Sequence, residues 1–364
     1  MPILKKIVVQ DFRNIAFQEI DFSPNVNCIC GSNGEGKTNL LDAVHYLSMT
    51  KSAFPVQDRY NVRYGADGFV IAGTYLMPSG LETRISVKVS PGEKKLLRDD
   101  KPYERISDHI GLLPVVMVSP GDISLVSDSG EERRRFVNGV LSQMDAEYLR
   151  ALQQYNRLLL QRNRILKDGA PDPGLLSVID ERLEGCAGPV SEARRRFVTE
   201  LSPIVASYYK MISGGGEEVS VSYKTDLDRG SLRELLAEGL EKDKVLGFTG
   251  RGVQRDEFVF TMDGHPIRRV GSQGQQKSFL VALKFAQYDI MRKSYGYPPT
   301  LLLDDVFDKL DPSRTANLIG MVAGKDFGQI FITDCNKSRL SPIVDSITDE
   351  SAYFDTVAGV FTKV

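Results

Sequence analysis

The 364-residue sequence contains no tryptophan, three histidines and four cysteines, and each scarcity excludes something. Four cysteines in a chain this long do not make a disulfide scaffold. Cys28 and Cys30 occupy alternate positions of an apolar strand pattern, so both face one side of a sheet. A redox or metal pair is one reading of them. With no second Cys or His pair nearby, two small core residues is the better one. His45, His109 and His265 lie far apart and do not suggest a zinc site. No apolar run approaches the ~20 residues that span a membrane. The start, Met1-Pro-Ile-Leu-Lys-Lys, leads into a strand pattern instead of a signal peptide. The expectation is a cytoplasmic protein with no membrane association. Internal repeats and low-complexity tracts are missing too. So is a large charge imbalance: at a net charge of −2, a nucleic-acid surface has to be local.

What is present suits an ordinary globular protein, 41% apolar and 26% charged, with length for about two or three domains at ~150 residues each. Residues 3–30 read as two short strands joined by a loop, carried by Ile7, Val8 and Val9, then Val26 and Ile29. Leu40, Leu41, Val44 and Leu47 share one helical face. Strand-like segments follow at 69–75, 84–89 and 114–118. Between residues 131 and 212 the pattern is helical and rich in Arg, Leu and Glu, broken by the loop Asp168-Gly-Ala-Pro-Asp-Pro-Gly174. Strands return at 219–223 and 258–262, a helix at 278–293, then buried strands at 300–303 and 329–333. Strand-rich α/β ends thus flank a helical insert far too short for a long coiled-coil arm.

Gly31-Ser-Asn33-Gly34-Glu-Gly36-Lys37-Thr38 fits G-x-x-x-x-G-K-[ST], after a strand and before a helix. Its glycines let backbone N–H groups point at phosphates without Cβ obstruction. Lys37 reaches the β- and γ-phosphates, the Thr38 hydroxyl ligates Mg²⁺, and the helix turns its positive end to the triphosphate. A chance Gly-rich turn would not also sit between strand and helix, so ATP or GTP binding follows. Leu301-Leu-Leu-Asp304-Asp305 is an apolar strand ending in two carboxylates. Alone it is also what an ordinary strand end looks like. Paired with the phosphate loop it reads as a Walker B element, covered on both faces as a parallel strand is. Asp304 would hold Mg²⁺, through water, and Asp305 would orient or activate the attacking water.

Ser272-Gln-Gly274-Gln275-Gln-Lys277 precedes a long helix upstream of that strand. The order of phosphate loop, Ser-x-Gly-Gln signature and Walker B resembles the ABC ATPase arrangement. A serine, a glycine and a helix N-terminus make a second anion site, which in ABC ATPases caps the γ-phosphate held by the other subunit. Within that superfamily the chain resembles the RecF family almost end to end. The likeness is carried by Asp11-Phe-Arg13-Asn14, Lys37-Thr38-Asn39-Leu-Leu-Asp-Ala, Ser119-Pro-Gly-Asp122 and Arg133-Arg-Arg-Phe136. It continues through Ser272-Gln-Gly-Gln-Gln and Asp304-Asp305-Val-Phe-Asp-Lys-Leu310-Asp311, whose last two residues form a D-loop. The resemblance implies an α/β ABC-type P-loop ATPase head with a mixed sheet core and an inserted helical subdomain. Residues 1–130 would be the N-terminal part of the head, 131–212 the insert (lobe II), and 213–364 the C-terminal part with signature, Walker B and D-loop. ATP and Mg²⁺ are the implied cofactors. Arg13 would lie near the nucleotide, Asn33 to Asn39 would wrap the phosphates, and Ser272, Gly274 and Gln275 would complete a partner's site.

Some positions depart from the family pattern. Gly252-Val-Gln254-Arg255-Asp256 stands where Gly-Pro-His-Arg-Asp is usual, so no role of that histidine is carried over. Asn138 replaces the acidic residue after the arginine run. Asp305 is one methylene shorter than the glutamate of ABC transporters. The strand Gln329-Ile-Phe-Ile-Thr333-Asp334 ends without the histidine those proteins use at the γ-phosphate. A weak, DNA-stimulated ATPase that works as a switch is the expectation.

Tyr148, Leu152, Tyr155, Leu159 and Leu166 recur on one helical face at steps of four and three, with Arg162 at one position. Arg150, Arg157 and Arg164 stand seven apart as a separate basic stripe, and Arg133 to Arg135 and Arg194 to Arg196 add two clusters. Phosphate contact is one reading, with Arg133, Arg134, Arg150, Arg157 and Arg164 as DNA-binding candidates. A solvated face, or salt bridges to Glu131, Glu132 or Glu192, is the other. No aromatic stacking platform is visible, so duplex held by its backbone fits better than base reading. The resemblance implies an ATP-driven homodimer that clamps double-stranded DNA near single-strand gaps. It also implies work with RecO- and RecR-type mediators to load RecA, and a part in replication-fork recovery. Three other classes share the ATP motifs. An SMC-like structural ATPase needs a far longer coiled coil. A transporter's ATPase subunit would lack the Phe-Arg-Asn start and the basic insert. A RecF-like ATPase of a defence or toxin system is the one the sequence excludes least.

Overall fold

The apolar runs near 300 and 330 form neighbouring parallel strands in the computed structural model of the chain. The structure describes all residues except 129, 168–171, 307–326, 336–340, 343, 345–347 and 349. Most of the expected 168–174 loop and the D-loop residues Leu310 and Asp311 therefore lie outside the described residues. The chain begins β1 (Ile3–Phe12), β2 (Ile15–Asp21), β3 (Val26–Cys30), α1 (Lys37–Met49), β4 (Phe69–Leu76), β5 (Glu82–Ser90), β6 (Glu93–Arg98), β7 (Lys101–Pro102) and β8 (Val115–Val118). It continues α2 (Ser124–Ser127), α3 (Gly130–Met144), α4 (Ala146–Lys167), α5 (Pro173–Ser213), β9 (Val219–Lys224), α6 (Leu232–Leu246), β10 (Glu257–Met262) and β11 (His265–Pro266). Last come α7 (Ile267–Val270), α8 (Gln273–Tyr295), β12 (Thr300–Asp304), β13 (Ile330–Asp334), β14 (Ser351–Val357) and β15 (Val360–Lys363).

These elements form two compact units, residues 1–123, 211–215 and 284–364 in the first and 124–210 and 216–283 in the second. The first holds an antiparallel sheet, ordered β2-β1-β4-β5-β6-β7, and a mixed sheet, ordered β15-β14-β3-β13-β12-β8. In the mixed sheet only β15 runs antiparallel to its neighbour. Every residue of β3 and β13 is buried, which is why both are mostly apolar, with Asn27, Thr333 and Asp334 the buried polar exceptions. Cys28 and Cys30 are among them, as buried core residues. Helix α1 packs against strands of both sheets and buries Leu40, Leu41, Val44 and Leu47 together with Ala43, Tyr46 and Met49. Facing both sheets, the helix is buried around most of its circumference, with Asp42 and Ser48 among the buried residues.

The expected two strands over residues 3–30 are three. The missing one, β2, is an edge strand whose Gln18-Glu19 pair breaks the apolar alternation, as charges on sheet edges do. Strand β6, with the sequence EKKLLR, lies between β5 and β7 and likewise lacks apolar alternation, because charge fills most of its positions.

The second unit sets α3 to α6 with the three-stranded sheet β11-β10-β9. On α4 the buried residues are Tyr148, Leu152, Tyr155, Leu158, Arg162 and Leu166, so Leu158 takes the place expected of Leu159. A 3.6-residue period places the inward position one residue earlier there. Arg162 is fully buried and donates to Asp180 at 2.7 Å, Asp243 at 2.7 Å and Thr249 at 2.9 Å, which ties α4 to α5 and α6. Arg194, on α5, donates to Asp256 at 2.5 Å, the Val253 carbonyl at 2.7 Å and Asn138 at 2.9 Å. Tyr223 of β9 donates to Asp256 and, at 3.1 Å, accepts from the Ser191 hydroxyl. These buried polar links are why β9 and β10 cluster with the helices. Compactness therefore divides the chain differently from the motif-based boundaries at 130/131 and 212/213.

Candidate nucleotide site

Adjacent parallel strands bring the sequence motifs together. In register, Asp304 of β12 lies opposite Thr333 of β13, and Asp334 lies opposite Cys30 of β3, so the phosphate loop and both aspartates meet at the strands' carboxyl ends. Ligand sites in open α/β sheets form there. Gly36, at φ +109°, ends the loop and begins α1, and a Cβ on it would stand 2.6 Å from the Asn14 amide. Lys37 is buried, with Nζ donating to the carbonyls of Gly31 at 2.7 Å and Ser32 at 3.1 Å. Asn33 and Gly34 are exposed at the loop's crest.

The Thr38 hydroxyl lies 2.9 Å from both carboxylate oxygens of Asp304. Thr333 donates to the same carboxylate at 2.7 Å and accepts from the Asp305 N–H at 2.9 Å. Asp304 is only 3% exposed, and burial pushes its carboxyl above the usual range, against the hydrogen bonds from Thr333 and Thr38. A hydroxyl and a buried carboxylate side by side are the hard oxygen donors Mg²⁺ takes, and a cation there would favour the ionised form. Thr38 and Asp304 thus fit the metal role expected of them.

The Phe12-Arg13-Asn14 element braces this loop from outside. Arg13 hydrogen-bonds Asn39 at 3.0 Å, Asn61 at 3.2 Å and Ser52 at 3.0 Å, and pairs with buried Asp42 at 2.6 Å. Its guanidinium also faces the Phe12 and Phe54 rings, with centroids 5.5 and 5.2 Å away. Arg13 is therefore beside the loop, with its N–H groups engaged by protein. Asn14 donates to the Glu35 carbonyl at 3.0 Å and accepts from Asn39 at 2.7 Å. The same Glu35 carbonyl also takes the N–H of Gly359 at 2.8 Å, and the Glu35 carboxylate takes that of Ala358. Sequence reasoning did not mark Thr333, Asp42, Ser52, Asn61 or the Ala358-Gly359 turn. The last carries a signal, an x-Gly pair between alternating apolar residues, but nothing local ties it to a loop more than 300 residues earlier.

Ser272, Gly274 and Gln275 stand at the first turn of α8, in the second unit. The Ser272 N–H donates to the Gln275 side chain at 2.8 Å, the Gln275 N–H returns a bond to the Ser272 hydroxyl at 3.3 Å, and Gln275 also donates to Glu217 at 2.5 Å. Ser272 itself is exposed.

The arginine clusters sort by partner. Arg133 donates to the carbonyls of Leu125 at 3.1 Å and Asp128 at 3.2 Å, and Arg134 to that of Asp256 at 2.9 Å. Arg135 pairs with Glu132 at 2.9 Å, and Arg196 with Glu192 at 3.9 Å. Arg195 pairs with Asp228 at 2.5 Å. On α4, Arg150 pairs loosely with Glu147 at 3.6 Å, whereas exposed Arg157 and Arg164 join no ion pair among the described residues. Gln254, where a histidine is usual, accepts from the Tyr155 hydroxyl and donates to the Arg251 carbonyl at 2.7 Å.

A phosphate loop and paired aspartates on parallel strands of one sheet, separated by β13, an antiparallel sheet in the same unit, and a separately built unit bearing the signature define an ABC-type ATPase head. A family model described as an AAA domain matches residues 6–161. The DNA replication and repair protein RecF of Parabacteroides distasonis is 43% identical over 98% of this chain and 98% of its own. The chain belongs to the RecF family. A solved structure of the recombination mediator protein RecF with ATP, in the RecFOR pathway, matches all of this chain and 98% of its own at a TM-score of 0.90 and 27% identity. The Smc head domain of Pyrococcus furiosus matches at a TM-score of 0.58 and 16% identity, a likeness of fold alone.

Proposed function

We propose that this chain is an ATP-dependent DNA-binding protein of recombinational repair and replication-fork recovery, switched by slow ATP hydrolysis. The observation that carries the reading is the hydrogen-bonded set Thr38, Asp304 and Thr333 at the strand ends, next to Lys37 held in the phosphate loop. The relatives named as DNA replication and repair proteins supply the pathway. In this reading ATP enters the phosphate loop, and Lys37 exchanges the carbonyls of Gly31 and Ser32 for phosphate oxygens, a stronger charge-assisted pairing. Mg²⁺ held by Thr38 and Asp304 would supply positive charge against the triphosphate. Asp305 orients the attacking water, and its short side chain suits a slow rate.

Two heads would join through ATP, with Ser272, Gly274 and Gln275 of one completing the other's site. The dimer's basic side chains then hold duplex or gapped DNA. Arg157 and Arg164 are the leading contacts, since Arg133 and Arg134 are engaged by backbone carbonyls. Mediators of the RecO and RecR kind, RecA loading and a cytoplasmic location complete the reading by family membership.

Fluorescence anisotropy with gapped duplex, plain duplex and single-stranded DNA, in ATP, ADP or no nucleotide, tests it. ATP should promote tight, salt-sensitive binding to duplex or gap, and Lys37→Ala and Ser272→Arg should each abolish that gain. DNA binding indifferent to nucleotide would overturn the clamp while leaving the ATPase head in place.

A further inference from the structure

We propose that Thr333 is a positioning residue of the ATPase reaction, holding Asp304 and Asp305 together through one hydroxyl. The proposal rests on the reading of Asp304 as a Mg²⁺ ligand and Asp305 as the group that orients water.

Thr333 is fully buried on β13, directly opposite Asp304 in the parallel ladder. A hydroxyl has one proton to give and two lone pairs to receive. The Asp305 N–H, 2.9 Å away, can only donate, so it occupies a lone pair; the proton is left for the Asp304 carboxylate at 2.7 Å. The direction of both bonds is thereby fixed. Asp304 takes its other hydroxyl donor from Thr38, so the carboxylate is held between the phosphate-loop helix and β13.

The second bond acts on the backbone. Asp305 sits at φ +45°, a left-handed conformation that side-chain-bearing residues rarely adopt. Its N–H would be free to turn away if nothing received it. The Thr333 hydroxyl receives it and so sets the direction in which this short side chain leaves the strand. Threonine is well suited because branching at Cβ restricts χ1, leaving the hydroxyl little freedom to follow a moving partner. One side chain therefore couples the metal-binding carboxylate to the water-orienting residue.

The test uses the full chain with gapped duplex DNA and MgATP. Thr333→Val keeps the shape and deletes the hydroxyl, Thr333→Ala is a second hydroxyl-free form should the first fold poorly, and Thr333→Ser keeps the hydroxyl. Asp305→Asn is run in parallel. Thr333→Val should lower kcat about 10- to 100-fold, while KM and the Kd of a fluorescent ATP analogue stay within about threefold. Thr333→Ser should restore most of kcat. Equal losses in kcat and nucleotide affinity would mean a general structural role and overturn the proposal. So would a Thr333→Ser variant as slow as Thr333→Val. If Asp305→Asn abolishes turnover and Thr333→Val does not slow it, the site reading stands and Thr333 has no such role. If Asp305→Asn hydrolyses ATP at the full rate, the reading beneath the proposal fails and the proposal with it.

Discussion

Arg162 sits in the middle of an apolar helical face, where a sequence pattern makes it look like an interruption. The fold gives it Asp180 and Asp243, both at 2.7 Å, and no exposure to solvent. Removing one partner of a buried pair costs about 3–5 kcal/mol, because the other charge stays behind unpaired. Arg162→Met should therefore lower stability by that order in urea unfolding. The deficit should also depend on pH. Burial already pushes the Asp180 carboxyl up, while Arg162 pulls it down. Without Arg162 the carboxyl rises further above its unfolded value, so the folded state binds the extra proton. Stability then falls as pH rises through that shifted pKa, and the deficit should shrink on acidification from neutral pH. A deficit unchanged with pH would mean that packing of the arginine stem, not its charge, is what the unit needs. Periodicity located this residue, but naming its role required the two aspartates, 18 and 81 residues further along the chain.

At the scale of elements, legibility follows burial. Strands β12 and β13 and helix α1 are covered on both sides, so their apolar runs mark them plainly. Edge strand β2 and the Lys-rich strand β6 carry charge in place of that signal. The turn between β14 and β15 is the clearest case of a site component that sequence order hides. Ala358 at φ +50° and Gly359 at φ +80° both present N–H groups to Glu35 of the phosphate loop. A type I′ hairpin demands positive φ at both positions, and an alanine there is strained. Glu35→Ala should loosen the loop and weaken ATP binding about tenfold, the worth of roughly one hydrogen bond to a charged group. Glu35→Gln keeps an acceptor for Ala358 and should bind ATP nearly as well. Isothermal titration separates them, and equal affinities for all three proteins would remove the hairpin from the site. Helix α4 makes a second prediction of this kind. Arg157→Glu and Arg164→Glu should each weaken DNA binding across all sequences and flatten the log–log salt dependence by about one unit. An unchanged slope would assign both side chains to the solvated face.

The molecule as a whole carries its motifs in two separately packed units, the phosphate loop and Walker B aspartates in one and the signature in the other. The order of motifs was legible from residue types and spacing alone, because each is a short local string. Which chain completes which site is not a local property, and so no motif states it. If each ATP is enclosed by Lys37 of one chain and Ser272 of its partner, two different defects can complement. Lys37→Ala alone should not bind ATP, and Ser272→Arg alone should bind ATP but fail to close the dimer around it. In a mixed dimer, the Ser272→Arg chain supplies an intact phosphate loop and the Lys37→Ala chain supplies an intact signature to the same site. The second site of that dimer carries both defects. With half of the dimers mixed and one working site in each, an equimolar mixture should recover up to about a quarter of the DNA-stimulated ATPase rate, although neither variant hydrolyses ATP alone. Recovery that rises with total protein concentration would place the reaction across two chains. A mixture as inactive as its components would mean that each head closes its own site, and the dimeric clamp would have to be abandoned.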